Sequence, residues 1–279
     1  MLTLAAAAAL VSGGLCGTLG YYIQRFKITT LSFSVAHAAL AGAATALVAG
    51  TDPTYTALAT AVVFALTIGL LSPKIPHERE LLSLGFFSLF NALAVLMIYL
   101  SNVYVLSSAS ISVVLWGSLL AVTKPKLVVL TGTLVLFTAY LALYRKQIDA
   151  ILFDKKLAEA EGINVNLHTL TLLLFSGTAI ALALKLTGGF LVFTLLYNPV
   201  ATSTKISKNA RKQQILSTTI GALTALTGLA ISYLLDLPVG ASIALTSTTL
   251  LLTAHTAKTI TEKTQLTKLK TTPSQQTTK

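Results

Sequence analysis

Basic residues in this chain fall into short clusters, and the segments between the clusters are apolar and about as long as a membrane span. Seventeen of the twenty Lys and Arg residues lie in five such clusters. The clusters are Arg25 and Lys27; Lys74 and Arg79; Arg145, Lys146, Lys155 and Lys156; Lys205, Lys208, Arg211 and Lys212; and Lys258, Lys263, Lys268, Lys270 and Lys279. A bilayer core about 30 Å thick needs about 20 apolar residues per helix. The alternation therefore predicts an integral membrane protein.

The composition agrees with membrane insertion and disfavours a soluble or nucleic-acid-binding protein. Hydrophobic residues make up 54% and charged residues only 10% of the 279 residues, which is too apolar for a soluble domain of this size. The net charge of +11 comes from residues that punctuate apolar segments and do not form one stripe. The positive-inside rule explains such a pattern. We therefore expect membrane lipid, and no nucleic acid, as a partner.

Apolar windows between the basic clusters predict an all-α, polytopic transmembrane helix bundle with eight or nine spans. The predicted spans are residues 2–23, 28–49, 54–72, 81–101, 126–144, 168–186, 188–204, 214–235 and 241–257. The count is eight if one of the two segments that meet around residue 188 does not cross fully. The transmembrane domain then covers residues 1–257, and the polar tail at 258–279 is expected to be disordered.

The basic clusters also predict the orientation in the cytoplasmic membrane. An outer N-terminus places all five clusters and the C-terminus on the cytoplasmic side, and leaves Lys124, Lys126 and Lys185 on or near the outer side. The segment 110–126 is apolar enough to cross, but a crossing there would move every later cluster to the other side. We therefore expect it to form a short outer helix or a re-entrant piece.

Small residues in the first span indicate close helix packing. Glycine recurs about one helical turn apart here, at Gly13 and Gly14, at Gly17 and at Gly20. Small residues let membrane helices approach each other closely. The single cysteine, Cys16, lies among them and cannot form an internal disulfide. We expect it to be a packing residue.

The spans carry no carboxylate, which narrows the classes of transporter. All nine Asp and Glu residues fall in loops, in short helices outside the spans or at span ends. Proton-coupled transporters usually need a buried acid, because an ionisable group in hydrocarbon costs about 2.5 to 3.5 kcal/mol and is retained for a task. The chain also has no G-x-x-x-x-G-K-[ST] phosphate-binding loop. We therefore expect no enzymatic activity here, and ATP hydrolysis on a partner chain if transport is uphill.

The segment Ile151–Val165 could receive that energy. Its apolar face and its charged face are typical of a short amphipathic helix over 151–162, which Gly162 can end. Such a helix on the cytoplasmic side suits docking into a groove on a soluble partner. Periodicity alone supports an interfacial linker helix equally well.

Five stretches resemble metal-type ABC transporter permeases, the membrane subunits of zinc and manganese importers, and they follow in the family's order. The stretch FDKKLAEAEGINV at 153–165 resembles the coupling segment of that family. The other four are SVAHAALAGAA at 34–44, LWGSLLAV at 115–122, GGFLVFTLLYNPVATS at 188–203 and YLLDLPVGASIAL at 233–245. Each match is weak alone, but five in order over nearly the whole chain are specific.

The resemblance implies partners that composition does not reveal. It implies a homodimer of this chain around one translocation path, a cytoplasmic ABC ATPase dimer and an extracellular solute-binding protein that delivers the ion. The cargo would be a divalent metal ion, ATP would bind to the partner subunit, and no cofactor would be bound covalently. The residues that would couple this chain to the ATPase are Asp154, Leu157, Ala158 and Gly162.

Polar residues inside the matching spans are the candidates for the translocation path. The path candidates are His37, Ser34, Asn198 and Thr202, with Pro199 as the gate. An intramembrane His is a functional candidate by default, with hydrogen bonding inside the bundle as the alternative. His37 is also the candidate metal ligand, although Phe33 stands where the family usually carries an Asp. Pro199 removes a helical hydrogen bond and frees a carbonyl near Leu195.

The sequence thus predicts a membrane-spanning permease of an ATP-binding cassette importer for divalent metal ions that works by alternating access. A permease for a metal chelate, such as a siderophore or cobalamin, is the alternative within the same class, and it fits the missing Asp. An ATP-independent channel or carrier and a structural membrane protein are alternatives of other classes. The remaining histidines, His77, His168 and His255, are expected at the surface or at an interface.

Overall fold

The computed structural model describes residues 2–105, 122–187 and 192–271, and these form eleven α-helices and no strands. The helices are Leu2–Arg25 (α1), Thr29–Ala49 (α2), Pro53–Leu71 (α3), Arg79–Leu100 (α4), Lys124–Leu143 (α5), Arg145–Phe153 (α6), Lys155–Ala160 (α7), Val165–Thr187 (α8), Val192–Ile206 (α9), Ala210–Leu235 (α10) and Val239–Thr271 (α11). A single 3-10 turn follows α3, and a π-helical turn at Ser101–Val105 follows α4. The all-α prediction is confirmed.

Seven of these helices are long and apolar enough to cross a membrane, namely α1, α2, α3, α4, α5, α8 and α10. The two other predicted spans correspond to α9, which has 15 residues, and to the first part of α11. The predicted bundle of about eight or nine spans is therefore confirmed in its architecture. The predicted segment 110–126 lies largely outside the described residues.

Helix α11 continues through residue 271, where the sequence predicted a polar tail from residue 258. Threonine hydroxyls along this stretch donate to carbonyls of the preceding turn, as Thr259 does to His255 and Thr261 to Ala257. Lys258 and Glu262 form an ion pair four residues apart. These local contacts satisfy polar groups without ending the helix. Residues 272–279 of the tail lie beyond the described residues.

The basic loops gather at one end of the bundle, which we call the Arg25 end. The Arg25 guanidinium donates a hydrogen bond of 2.7 Å to the side chain of Gln213, which joins the end of α1 to the start of α10. Lys155 donates to the backbone carbonyl of Phe26 and so ties α7 to the same end. Clusters that are far apart in the sequence therefore meet on one side, as the positive-inside argument requires.

The opposite end contains Asp52 and the start of α5. The Lys126 ammonium lies 3.4 Å from an Asp52 carboxylate oxygen, between α5 and the connection from α2 to α3. The hydroxyls of Ser34 and Ser83 are 2.8 Å apart near the starts of α2 and α4, so these two helices run parallel. Helix α4 thus ends at the Asp52 end, where α5 begins, and both flanks of the segment 106–121 lie on the same side.

Glycines bring α1 and α10 into backbone contact. A Cβ atom added at Gly13 would collide with the carbonyl oxygen of Gly221, and one added at Gly17 would collide with the carbonyl oxygen of Ser217. The Ser217 hydroxyl donates to the Gly17 carbonyl at 2.6 Å, which is possible only at this close approach. Gly20 packs in the same way against Leu196 of α9. The predicted role of this glycine stretch in close packing is confirmed, and Cys16 is buried beside it.

We expect Gly17→Ala to lower the thermal unfolding midpoint of the detergent-purified protein. The new methyl group must displace the Ser217 backbone, and overpacking of this kind costs about 1 to 3 kcal/mol. Gly132→Ala is the matched control, because Gly132 also lies inside a helix but has open space around it. At Gly132, alanine should stabilise the helix by up to about 1 kcal/mol, because its helix propensity is higher than that of glycine. Equal midpoints for the two variants would contradict the packing account.

Candidate functional site

His37 is the last ring of a stack of four that joins α2 to α9. The stack, which we call the ring ladder, runs in the order Tyr197, Phe33, Phe193, His37. Successive ring centroids are 4.8, 4.9 and 4.9 Å apart, with interplanar angles of 14°, 16° and 21°. Phe33 and His37 are four residues apart on α2, and Phe193 and Tyr197 are four apart on α9, so each pair shares one helix face. The rings interleave across the gap between the two helices.

A ring from a third helix closes the side of the ladder. Phe87 of α4 stands edge-on to His37, with centroids 4.3 Å apart, and edge-on to Phe33 at 6.3 Å. Each aromatic pair of this type contributes about 0.5 to 1.5 kcal/mol beyond its buried area. The ladder thus holds α2, α4 and α9 together at the level of His37.

The hydrogen bonding of His37 leaves one ring nitrogen open to a ligand. Its Nδ1 atom lies 3.1 Å from the backbone carbonyl of Phe33. A carbonyl can only accept, so Nδ1 carries the proton, and in the neutral ring Nε2 then keeps its lone pair. The side chain is 5% exposed. A buried imidazole nitrogen of this kind can coordinate a zinc-type cation.

The part of the chain that the structure describes holds no cluster of metal-ligating side chains. Among residues 2–105, 122–187 and 192–271, no group of three or more His, Cys, Asp and Glu lies close enough to hold a metal ion. Phe33 occupies the position that the family resemblance gives to a carboxylate, and here it is a rung of the ladder. His37 as a metal ligand therefore stays a prediction that needs other donors.

The other polar path candidates have partners of their own. Ser34 bonds through its hydroxyl to Ser83 of α4. Thr202 donates to the backbone carbonyl of Asn198 at 2.8 Å, and the Asn198 amide donates to the Thr248 hydroxyl of α11 at 3.0 Å. Asn198 and Thr202 therefore belong to one group between α9 and α11, while Ser34 ties α2 to α4. These hydrogen bonds of the three side chains do not include His37.

Pro199 lies buried inside α9, which continues as a helix on both sides of it. Proline has no backbone N–H, so the carbonyl of Leu195 lacks its usual helical donor. The weakened turn, residues 195–199, contains Tyr197 of the ring ladder and can bend more easily than an uninterrupted helix. Its role as a gate stays a prediction.

The segment that we expected to form one helix over 151–162 is two helices that meet at Asp154. Asp154 has extended backbone angles, φ −154° and ψ 121°, and ends α6. Its carboxylate accepts from the backbone N–H groups of Lys156 and Leu157 at 2.8 and 3.0 Å, so it is the N-cap of α7. Aspartate stabilises this position more than a helix interior. The single continuous helix is therefore corrected to a capped turn of helix after a break.

The end of α7 follows the prediction for Gly162. Gly162 has φ +83°, a left-handed conformation that glycine adopts without strain. The backbone N–H of Ile163 donates to the carbonyl of Ala158, which closes the helix end. Ala158 is buried against the bundle, whereas Leu157 is half exposed. Helix α7 is therefore capped at both ends and packed at the Arg25 end, with part of its apolar surface uncovered.

The surface prediction is wrong for one histidine. His168 is 4% exposed and bonds to the Tyr140 hydroxyl at 2.6 Å and to the Gln147 side chain at 2.9 Å. It connects α8 to α5 and α6, so it is a packing residue with satisfied polar atoms. His77 and His255 are exposed, as predicted.

Comparisons with known proteins agree with the fold. The ABC 3 transport family matches residues 1–258. The manganese transport system membrane protein MntC of Listeria monocytogenes is 29% identical over 237 residues, which cover 85% of this chain and 83% of the relative. The high-affinity zinc uptake system membrane protein ZnuB of Buchnera aphidicola is 26% identical over 242 residues, 87% of this chain and 92% of the relative. PsaBC from Streptococcus pneumoniae, solved in complex with Fab, has the same fold, with a TM-score of 0.75 at 24% identity over 91% of this chain and 90% of that chain.

A double-mutant cycle should detect the ring ladder as a direct interaction. We expect Phe33→Leu and Phe193→Leu to be non-additive, with a coupling energy of about 0.5 to 1.5 kcal/mol in the free energy of unfolding. The control cycle pairs Phe33→Leu with Phe153→Leu, because Phe153 is 85% exposed and lies outside the ladder. The control should be additive. Additivity in both cycles would mean that the rings do not stabilise each other.

Proposed function

The chain belongs to the ABC 3 transport family, and from this premise we propose that it is the membrane-spanning permease of an ATP-binding cassette importer for divalent metal ions of the zinc or manganese type. The observation that carries the proposal is the family match over residues 1–258. The names of the manganese and zinc relatives supply the substrate class. The apolar bundle, with its charges at the helix ends, supports a multi-pass protein of the cytoplasmic membrane.

We propose that the driving energy enters at the Arg25 end, through α7. The chain has no phosphate-binding loop of the G-x-x-x-x-G-K-[ST] type, so a cytoplasmic ABC ATPase dimer is the expected source. Helix α7 is capped by Asp154, ended at Gly162 and packed through Ala158, while Leu157 is available to a partner. A rigid, partly apolar turn of this kind can transmit a displacement of the ATPase to the bundle.

We further propose an orientation and two more partners. The Arg25 end would face the cytoplasm, the N-terminus would lie outside and the C-terminus inside. A second copy of this chain would complete the path, because His37 offers only one metal ligand. A solute-binding protein would deliver the ion at the Asp52 end.

The ring ladder acts as the gate in this proposal. The stacked rings of α2 and α9 close the bundle beside His37, and parting them would expose the lone pair of Nε2 to the path. Pro199 lets α9 bend at the turn that carries Tyr197 of the ladder. Alternating access then consists of two states, with the rings together or apart, whose balance shifts with the state of the ATPase.

A metal chelate is the second candidate substrate. It is favoured by Phe33, which gives the site an aromatic face where a carboxylate would favour a bare hard cation. Competition distinguishes the two: a chelate substrate predicts that uptake of labelled metal requires the chelator, whereas an ion substrate predicts inhibition by excess chelator.

The first transport test uses vesicles that contain this chain together with its ATPase. We expect ATP-dependent zinc uptake, which His37→Ala lowers by about 10- to 100-fold, a range that disrupting the groups at a metal site commonly costs. His255→Ala is the control, because His255 is exposed and lies outside the ladder. Full uptake without the ATPase would identify a channel, and equal uptake by both variants would remove His37 from the path.

The second transport test addresses Asp154. Loss of the cap in Asp154→Ala should cost about 1 kcal/mol of α7 stability, so the 155–160 amides should exchange hydrogen about fivefold faster and coupled uptake should fall. Asp154→Asn removes the charge but keeps a good cap, and it should retain most of the uptake. If both variants lose uptake equally while α7 stays protected, the carboxylate charge matters and not the cap.

A further inference from the structure

A cavity at the Arg25 end has an excess of positive charge that the proposed transport mechanism does not use. Its volume is about 760 Å³. The end of α1, the segment 151–156, Thr204 of α9 and Gln213 of α10 line it. It therefore lies where α1 and α9 end and α10 begins, next to the end of α6 and the start of α7.

Four cations and one carboxylate line this cavity. The cations are Arg25, Lys27, Lys155 and Lys156. The carboxylate is Asp154, which already accepts two backbone hydrogen bonds as the cap of α7. The salt bridges found among the described residues join Lys126 to Asp52, Arg145 to Asp149 and Lys258 to Glu262, and none includes a cavity cation.

Two of the cations are held in place by uncharged groups. Lys155 donates to the Phe26 carbonyl, and its ammonium lies 5.6 Å from the centre of the Phe26 ring. Arg25 donates to the Gln213 side chain, and its guanidinium lies 5.6 Å from the centre of the Tyr21 ring. An ammonium has three donors and a guanidinium five, so both groups keep donors for a further acceptor.

The charge at Lys155 is not neutralised by its surroundings. Burial, followed by the positive charges of Arg79 and Lys27, lowers the pKa of its ammonium, and the nearby Glu159 acts in the opposite direction with a smaller effect. An anion bound in the cavity would raise the pKa of Lys155, because it would favour the charged form of every cation that faces it.

We propose that this cavity binds a phosphate-type oxyanion, and specifically the headgroup of an anionic phospholipid from the cytoplasmic leaflet. Arg25 is the last residue of α1 and Gln213 lies in the first turn of α10, so the cavity lies at the depth where headgroups lie. Basic pockets between membrane helices on the cytoplasmic side bind acidic headgroups. Ile151, Leu152 and Phe153 add an apolar lining beside the cations.

The bound headgroup would join the ends of α1 and α10 to the start of α7. Arg25 is the end of α1 and Lys155 the start of α7, so a headgroup that accepts from both would link these elements through charge-assisted hydrogen bonds. Lipid would thus stabilise the position of α7 relative to the bundle. The inference rests on the orientation in the proposed function but not on transport, and its test needs no cargo.

The test compares the purified chain in nanodiscs of phosphatidylcholine with nanodiscs that also contain phosphatidylglycerol. We expect phosphatidylglycerol to raise the unfolding midpoint of the wild type and to remain bound in native mass spectrometry. Lys27→Gln/Lys155→Gln should weaken phosphatidylglycerol binding by about fivefold per lysine. Lys146→Gln/Lys208→Gln removes the same charge from exposed positions outside the cavity and should bind phosphatidylglycerol as the wild type does.

Three outcomes would overturn the proposal. Equal phosphatidylglycerol dependence in the cavity variant and the control variant would show that only the general surface charge matters. Stabilisation by millimolar inorganic phosphate in detergent, with no response to phosphatidylglycerol, would assign the cavity to a free phosphate. If the cavity variant keeps its lipid response but loses affinity for the ATPase in phosphatidylcholine nanodiscs, the cations belong to the ATPase interface.

Discussion

The close approach of α1 and α10 determines much of the bundle. Membrane helices have no hydrophobic driving force for association, because lipid tails are as apolar as their side chains. Their association therefore depends on van der Waals contact and on hydrogen bonds between the helices. Gly13, Gly17 and Gly221 let the two backbones touch, and this proximity allows the Ser217 hydroxyl to reach the Gly17 carbonyl. The same pairing brings Arg25 to Gln213 at the end of the bundle. The cavity between these helices and the segment before α7 follows from that arrangement.

Helices α2 and α9 contact each other through side chains, whereas α1 and α10 contact each other through backbone atoms. This difference indicates that α2 and α9 are the pair that separates. Interleaved side-chain rings join these helices at the ladder, whereas α1 and α10 touch through backbone atoms. The three stacked pairs together contribute only a few kcal/mol at about 0.5 to 1.5 kcal/mol each. Changing the population ratio of two conformational states from 1:99 to 99:1 needs about 5.5 kcal/mol. An energy input of that size can part the rings while the glycine contact stays closed.

The sequence predicted the spans well, because hydropathy and charge position are properties of a linear chain. The family resemblance also implied that Phe33, one turn before His37, stands where a carboxylate is usual. The sequence could not show the ladder, since Phe193 comes from a helix more than 150 residues away. His168 looked like a residue at a span end, but Tyr140 and Gln147 from other helices bury it. At Asp154, helical periodicity suggested continuity, while the capping preference of aspartate broke the helix.

The central claim is that α2 and α9 must separate at the ring ladder for cargo to pass. The direct measurement joins Phe33→Cys and Phe193→Cys with a short bifunctional methanethiosulfonate cross-linker, in a Cys16→Ala background, and follows zinc uptake with the ATPase present. The account predicts that the cross-link stops uptake, that reduction restores it, and that each single cysteine variant treated in the same way still transports. Uptake that continues with the cross-link intact would contradict the account.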